Sequence, residues 1–205
     1  MVMLKPSSGF VVPPPVPPTV LKGLRNNRGA VLTTLVNRFD WTHGCELGLW
    51  QGRTIAQLLA ACPKLEMIGV DLWEPQPEND GPEAYTGWDH QQHENRCRSN
   101  VRRYGYRARI YKERTTDAAR HIPDKSLDFV FVDADHSERG CRADILAWLP
   151  KIKDTGWITG HDISWPGVKK AVDDLVPGYE IAPDVVWLRP VNPTPGWADE
   201  LKGPL

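Results

Sequence analysis

No CxxC pair occurs among the four cysteines of this chain, so neither a zinc knuckle nor a dithiol redox pair is signalled. Cys45, Cys62 and Cys141 fall in apolar patterns and read as small core residues, which makes a reducing cytoplasm the default expectation. An excess of charge is missing too: Lys+Arg 25 stand against Asp+Glu 26. The basic footprint of a non-specific nucleic-acid binder is absent, and no nucleic-acid partner is expected. Nowhere do about eighteen apolar residues run together, as a membrane-spanning helix would need, so no membrane partner is expected. The N-terminal "MVMLKPSSGF" lacks a long apolar run, which argues against a signal peptide.

Proline is abundant instead. "VVPPPVPPTV" (11–20) favours an extended polyproline II path and cannot form a helix. Residues 1–25 therefore read as an arm, 26–191 as a single globular domain, and 192–205 as an irregular tail. Hydrophobic residues make up 40% of the chain, enough for a core.

Within the globular part the periodicity alternates. Leu32, Leu35, Val36 and Phe39 recur at helical spacing, as do Ile55, Leu58, Leu59 and Cys62 before the stop at Pro63. "GCELG" (44–48), "EMIGVDLW" (66–73), a stretch near "ARIYKE", "SLDFVFVDADH" (126–136), "GWITGHDI" (156–163) and "DVVWLRPV" (184–191) read as strands. A polar helix is expected over about 89–104. Cys141, Ile145, Trp148, Leu149 and Ile152 form one helical stripe, and Val168, Ala171, Val172 and Leu175 another. Near-continuous apolar strands separated by helices predict an α/β fold: a doubly wound, Rossmann-like, mostly parallel sheet with helices on both faces.

In such a sheet, ligands bind beyond the carboxyl ends of the strands. Polar residues gather at four of them: Glu46 to Thr54, Asp71, Asp133 to His136, and His161 with Asp162. In "ELGLWQGRT" the glycines Gly48 and Gly52 permit unusual backbone and close ligand approach. Asp71 lies about 20 residues on, the usual distance for a carboxylate that grips ribose hydroxyls. A nicotinamide fingerprint would need glycines at 48, 50 and 53, where this chain has Gly48, Trp50 and Arg53. A nucleoside without phosphates fits that turn better than a dinucleotide does.

With "ELGLWQGRT" followed by "VDLW", the sequence resembles the class I S-adenosylmethionine-dependent methyltransferases, and more narrowly the catechol and macrocin O-methyltransferase branch. In that branch an aromatic often replaces the middle glycine and a Ser or Thr follows the last, the places of Trp50 and Thr54. The resemblance implies S-adenosylmethionine as cofactor, with Glu46 and Gly48 at its amino-acid end, Asp71 on the ribose and Leu72 against the adenine. "ERTTDAA" (113–119) matches the segment over the adenine edge, which assigns Arg114, Thr115 and Thr116 there. A small-molecule acceptor bearing a sugar or phenolic hydroxyl is the implied partner, with a homodimer as a further expectation.

"VDADH" (132–136) and "GHD" (160–162) supply ligands suited to Mg²⁺, Mn²⁺ or Zn²⁺. The resemblance places a divalent metal on Asp133, His161 and Asp162, with Asp133 also near the cofactor, although His161 departs from the acidic residue expected there. His136 takes the place of the family's lysine base, and an imidazole accepts a hydroxyl proton near neutral pH. Asp133, His136 and His161 are thus the catalytic candidates. "HQQH" (90–93) reads as a solvated helix face, and the loop at 74–88, with Tyr85 and Trp88, as a lid or binding segment. Two other readings remain open: an NAD(P)-dependent oxidoreductase, and a non-catalytic methyltransferase-like binding module.

Overall fold

The computed structural model of the chain describes residues 27–76, 85–195 and 197. The proline-rich arm, residues 77–84 of the long loop, and residues 196 and 198–205 of the tail lie outside these. The first helix, α1 (Arg28–Phe39), starts where the Asn27 side chain accepts a hydrogen bond from the Ala30 amide at 3.2 Å. It ends at Asp40 in the left-handed conformation, φ 49°.

Seven strands follow in one sheet: β1 (His43–Leu47), β2 (Glu66–Asp71), β3 (Ala108–Lys112), β4 (Leu127–Val132), β5 (Ile152–Gly160), β6 (Glu180–Ala182) and β7 (Val186–Pro190). Their spatial order is β3-β2-β1-β4-β5-β7-β6. The first five run parallel, while β7 is antiparallel to both neighbours. The connecting helices are α2 (Arg53–Ala61), α3 (His90–Val101), the single turn α4 (Thr115–Ala118), α5 (Glu138–Trp148) and α6 (Pro166–Leu175).

The alternation of β4 explains the three layers. Phe129 and Phe131 join Leu32, Leu58 and Cys97 in the core shared with α1, α2 and α3. Val130 and Val132 join Ile145, Trp148 and Val172 in the core shared with α5 and α6. Both faces are covered, so the strand reads as continuously apolar although its side chains alternate. Each of these buried side chains contributes about 1.5–3 kcal/mol of transfer free energy.

Several boundaries differ from the sequence reading. Ile152 opens β5 instead of closing α5, because a short 3-10 turn at Leu149–Lys151 intervenes. The polar helix ends at Val101, and the strand at "SLDFVFVDADH" stops at Val132. The sequence reading lacks β6 altogether. All four cysteines are buried and free of disulfides. Burial pushes the Cys97 and Cys141 thiols up to about 12. No helix among the described residues is long and apolar enough to cross a membrane.

Candidate active site

The turn after β1 is held by three neighbours in the left-handed region, Gly48 (φ 83°), Trp50 (φ 47°) and Gly52 (φ 67°). A side chain at Gly48 would put its Cβ 2.0 Å from the Asp133 carbonyl oxygen, so glycine is dictated there by the approach of the chain leaving β4. Trp50 adopts a conformation that costs a non-glycine residue about 1–2 kcal/mol. The Asp71 carboxylate offsets this cost. Its Oδ2 accepts from the amides of Leu49 at 2.8 Å and Trp50 at 2.7 Å, and its Oδ1 accepts from that of Trp73 at 2.8 Å. The Trp73 indole also donates to the Trp50 carbonyl at 2.8 Å. One carboxylate therefore ties the turn after β1 to the turn after β2. Burial pushes its pKa up, and the three amides oppose that.

Above this floor, at the carboxyl ends of the parallel strands, lies a cavity of about 650 Å³. Of the residues singled out from sequence, Glu46, Gly48, Trp50, Thr54, Asp71, Leu72, Arg114, Thr115, Thr116, Asp133, His136 and Asp162 line it. Gly52 does not: it precedes α2 and faces Cys97. His161 lies behind the wall, 7% exposed. Glu46 is buried, and its Oε2 has no hydrogen-bond partner among the described residues. Burial, reinforced by Asp133, pushes the Glu46 carboxyl well up.

Beside the turn, where the chain leaves β4 against Gly48, strand-end acids and histidines interlock. The ligand atoms of Asp133, His136 and Asp162 all lie within 4.8 Å of one another. His136 Nε2 is 3.1 Å from Asp162 Oδ2, while its Nδ1 faces the Tyr85 hydroxyl at 3.3 Å. The sequence-based metal set, Asp133, His161 and Asp162, thus meets a different grouping, in which His136 stands where His161 was expected. His161 Nδ1 lies 3.0 Å from Asp162 Oδ2 and 3.5 Å from Asp133 Oδ1, without the alignment of a hydrogen bond. Burial disfavours its charged form, but the two carboxylates outweigh this and lift its pKa to about 9. Burial likewise opposes the ionised form of Asp162, yet His136 and His161 hold that carboxyl well below its usual range.

Three residues absent from the sequence reading complete the site. The Arg28 guanidinium pairs with Asp133, and its amide donates to Asp184 Oδ2 at 2.7 Å. Asp144 on α5 lines the cavity almost fully buried. Its signal was present: Cys141, Ile145 and Trp148 form an apolar stripe, and residue 144 sits within that stripe as an acid. The histidines of "HQQH" depart from the solvated face expected of them. Both line the cavity, with His90 Nε2 2.8 Å from the Tyr85 carbonyl and His93 Nδ1 3.2 Å from the Gln51 amide nitrogen. Trp88 stands over them, its ring 5.9 Å from Trp50, 5.1 Å from Tyr85 and 5.6 Å from His93.

Residues 45–163 match the model of a family described as a methyltransferase domain. No curated protein sequence matches the chain. Among solved structures, the fold is similar to that of cofactor-bound Rv0187 from MTB, at 15% identity and TM-score 0.60, covering 86% of this chain and 87% of that one. It is similar to SAH-bound PaMTH1 of Podospora anserina, at 14% identity and TM-score 0.57, covering 78% and 76%. It is also similar to the O-methyltransferase TomG of Streptomyces achromogenes, solved in complex with SAM, at 14% identity and TM-score 0.56, covering 78% of each chain.

Proposed function

The chain belongs to the methyltransferase-domain family, and from that premise we propose that it moves the methyl group of S-adenosylmethionine onto an oxygen of a small-molecule acceptor. The methyltransferase unit is taken as 26–191. The observation that carries the reading is the Asp71-tied turn beneath the cavity, which the buried Glu46 carboxylate and the His136 imidazole both line. Glu46, buried with an unpartnered oxygen, suits the cofactor's ammonium group. Asp71 keeps a lone pair on Oδ1 for a ribose hydroxyl, and Leu72, Arg114, Thr115 and Thr116 flank the base. Trp50 is tolerated because this cofactor carries no phosphate past it. Likenesses to a methyltransferase solved with SAH and to an O-methyltransferase solved with SAM support the same assignment.

In the transfer, a lone pair of the acceptor oxygen attacks the methyl carbon. The carbon–sulfur bond breaks with its electron pair returning to sulfur, which leaves S-adenosylhomocysteine and a methyl ether. The acceptor hydroxyl takes the place of the Tyr85 hydroxyl at His136 Nδ1 and gives its proton there, and Asp162 at Nε2 stabilises the imidazolium that forms. Much of the barrier reduction comes from holding oxygen, carbon and sulfur in line. Tyr85 and Trp88 offer aromatic faces at the mouth, suited to a phenolic ring or a sugar.

A metal-assisted variant is favoured by the convergence of Asp133, His136 and Asp162. Two carboxylates and an imidazole fit a divalent cation such as Mg²⁺ or a softer ion. A bound ion would supply Lewis acidity that lowers the acceptor hydroxyl's pKa. Arg28 on Asp133 already supplies positive charge there, which favours the metal-free reading.

Calorimetric titration with S-adenosylmethionine, S-adenosylhomocysteine and NAD, with and without EDTA, tests the reading. Binding of the two sulfur nucleosides and not of NAD is expected; binding of neither would end it. His136→Ala should then cut turnover about 10²–10⁴-fold while S-adenosylmethionine affinity holds. Activity abolished by EDTA would select the metal-assisted variant.

A further inference from the structure

The near-neutral balance of the whole chain conceals one segregated stretch. Residues 95–112, "NRCRSNVRRYGYRARIYK", hold seven of the 25 basic residues and none of the 26 acidic ones. They form the end of α3, the 3-10 turn at Arg102–Arg107 and the edge strand β3. None of them lines the cavity of the proposed transfer. Part of this charge has a structural task. Arg98 and Lys112 share the buried Glu94, at 2.8 and 2.7 Å. Arg107 donates to the carbonyls of Leu59, Cys62 and Leu65 at the end of α2. Arg96, Arg102, Arg103 and Arg109 are exposed, and among the described residues none of them pairs with a carboxylate.

A pocket of about 420 Å³ opens in this stretch, and its lining includes Arg98, Ser99, Arg102 and Gly105. Arg98 and Arg102 stand one helical turn apart, so both reach the same rim. Gly105, at φ 57° and ψ −129°, turns the chain in a conformation closed to other residues. Tyr106 follows it and is 83% exposed. Guanidinium forks grip phosphates, and an exposed aromatic ring offers a face on which a base stacks. We propose that this face binds single-stranded nucleic acid, with phosphates at Arg98, Arg102 and Arg103 and a base on Tyr106. The whole-chain charge, from which the sequence reading excludes such a partner, averages this face against acids elsewhere. With a Debye length of about 8 Å at physiological salt, a strand feels the local charge instead. A duplex fits less well, because its bases are stacked on one another and leave Tyr106 no free face.

The test is fluorescence anisotropy of a labelled adenylate strand of about 12 nucleotides, titrated with the full chain. Each phosphate neutralised on a single strand adds about 0.7 to the slope of log affinity against log salt. Three contacts therefore predict a fall of about 20-fold between about 50 and 200 mM salt. Arg102→Gln should lower that slope by about 0.7, leaving a fall of about sevenfold. Tyr106→Ala should weaken binding about tenfold and leave the slope unchanged, since stacking releases no counterions. Both side chains are exposed, so the urea midpoints of the two variants should match the wild type. Absence of binding at about 50 mM salt overturns the proposal. So does an Arg102→Gln protein with the full salt slope, or a Tyr106→Ala protein with the full affinity. A duplex of the same length bound as tightly as the single strand, or polyglutamate bound as tightly, would assign the face to another partner and overturn it as well.

Discussion

Asp71 shows how one side chain serves both scaffold and ligand. Three backbone amides converge on its two oxygens, and an amide side chain has only one oxygen to offer. Asp71→Asn must therefore point an NH₂ at one or two of those N–H groups. The expected loss is about 1–3 kcal/mol in stability, read as a lowered urea midpoint with unchanged slope. Cofactor affinity should fall with it, since the left-handed Trp50 loses the acceptor that compensates its strain. An unchanged midpoint would mean that the turn keeps its shape without the carboxylate. From sequence, Asp71 was legible as a strand-end acid, but its second task was not, because the partners are amides that any residue carries. Arg28 was illegible for another reason: its partners, Asp133 and Asp184, lie 105 and 156 positions away, and no local pattern encodes that pairing.

The first strand, its turn and the second helix form the element on which the site depends. Asp133 donates its amide to the Leu47 carbonyl at 2.9 Å, and Gly48 donates to the Val70 carbonyl at 2.9 Å, so the ends of β1, β2 and β4 are laced at one level. Gly48→Ala would bring a methyl group against the Asp133 carbonyl in a backbone conformation alanine disfavours. A cost of about 3 kcal/mol is expected from clash and strain together, measured by chemical unfolding, and Asp133 should move out of the site. A Gly48→Ala protein of wild-type stability would contradict the close approach. The parallel strands were readable because both faces are buried and the apolar runs are continuous. β6 was not, since Glu180, Ile181 and Ala182 are too few for a pattern, and the reversal before it turns on Gly178 at φ 78°. The antiparallel course of β7 was equally hidden, because side-chain alternation is the same for either direction.

At the scale of the molecule, the buried ionisable groups set how stability responds to pH. His161 is raised from 6.5 to about 9 in the fold. Its contribution is fully present below about 6.5 and is lost as the pH climbs through about 9, an upper bound of about 3 kcal/mol. Asp144, raised from 3.8 to about 7, acts in the same sense: its share is present at low pH and disappears as the pH rises through about 7. Asp162 works oppositely, stabilising above its unfolded value near 3.9 and losing that share only as the pH falls through its depressed folded value. Urea midpoints should therefore decline from pH 5 to pH 9, and a midpoint that rises over that interval would show the His161 and Asp144 assignments to be wrong. The four sequestered sulfhydryls carry a different consequence. Burial raises all four and carries Cys97 and Cys141 to about 12, so alkylation of those two at neutral pH should time the openings that uncover them.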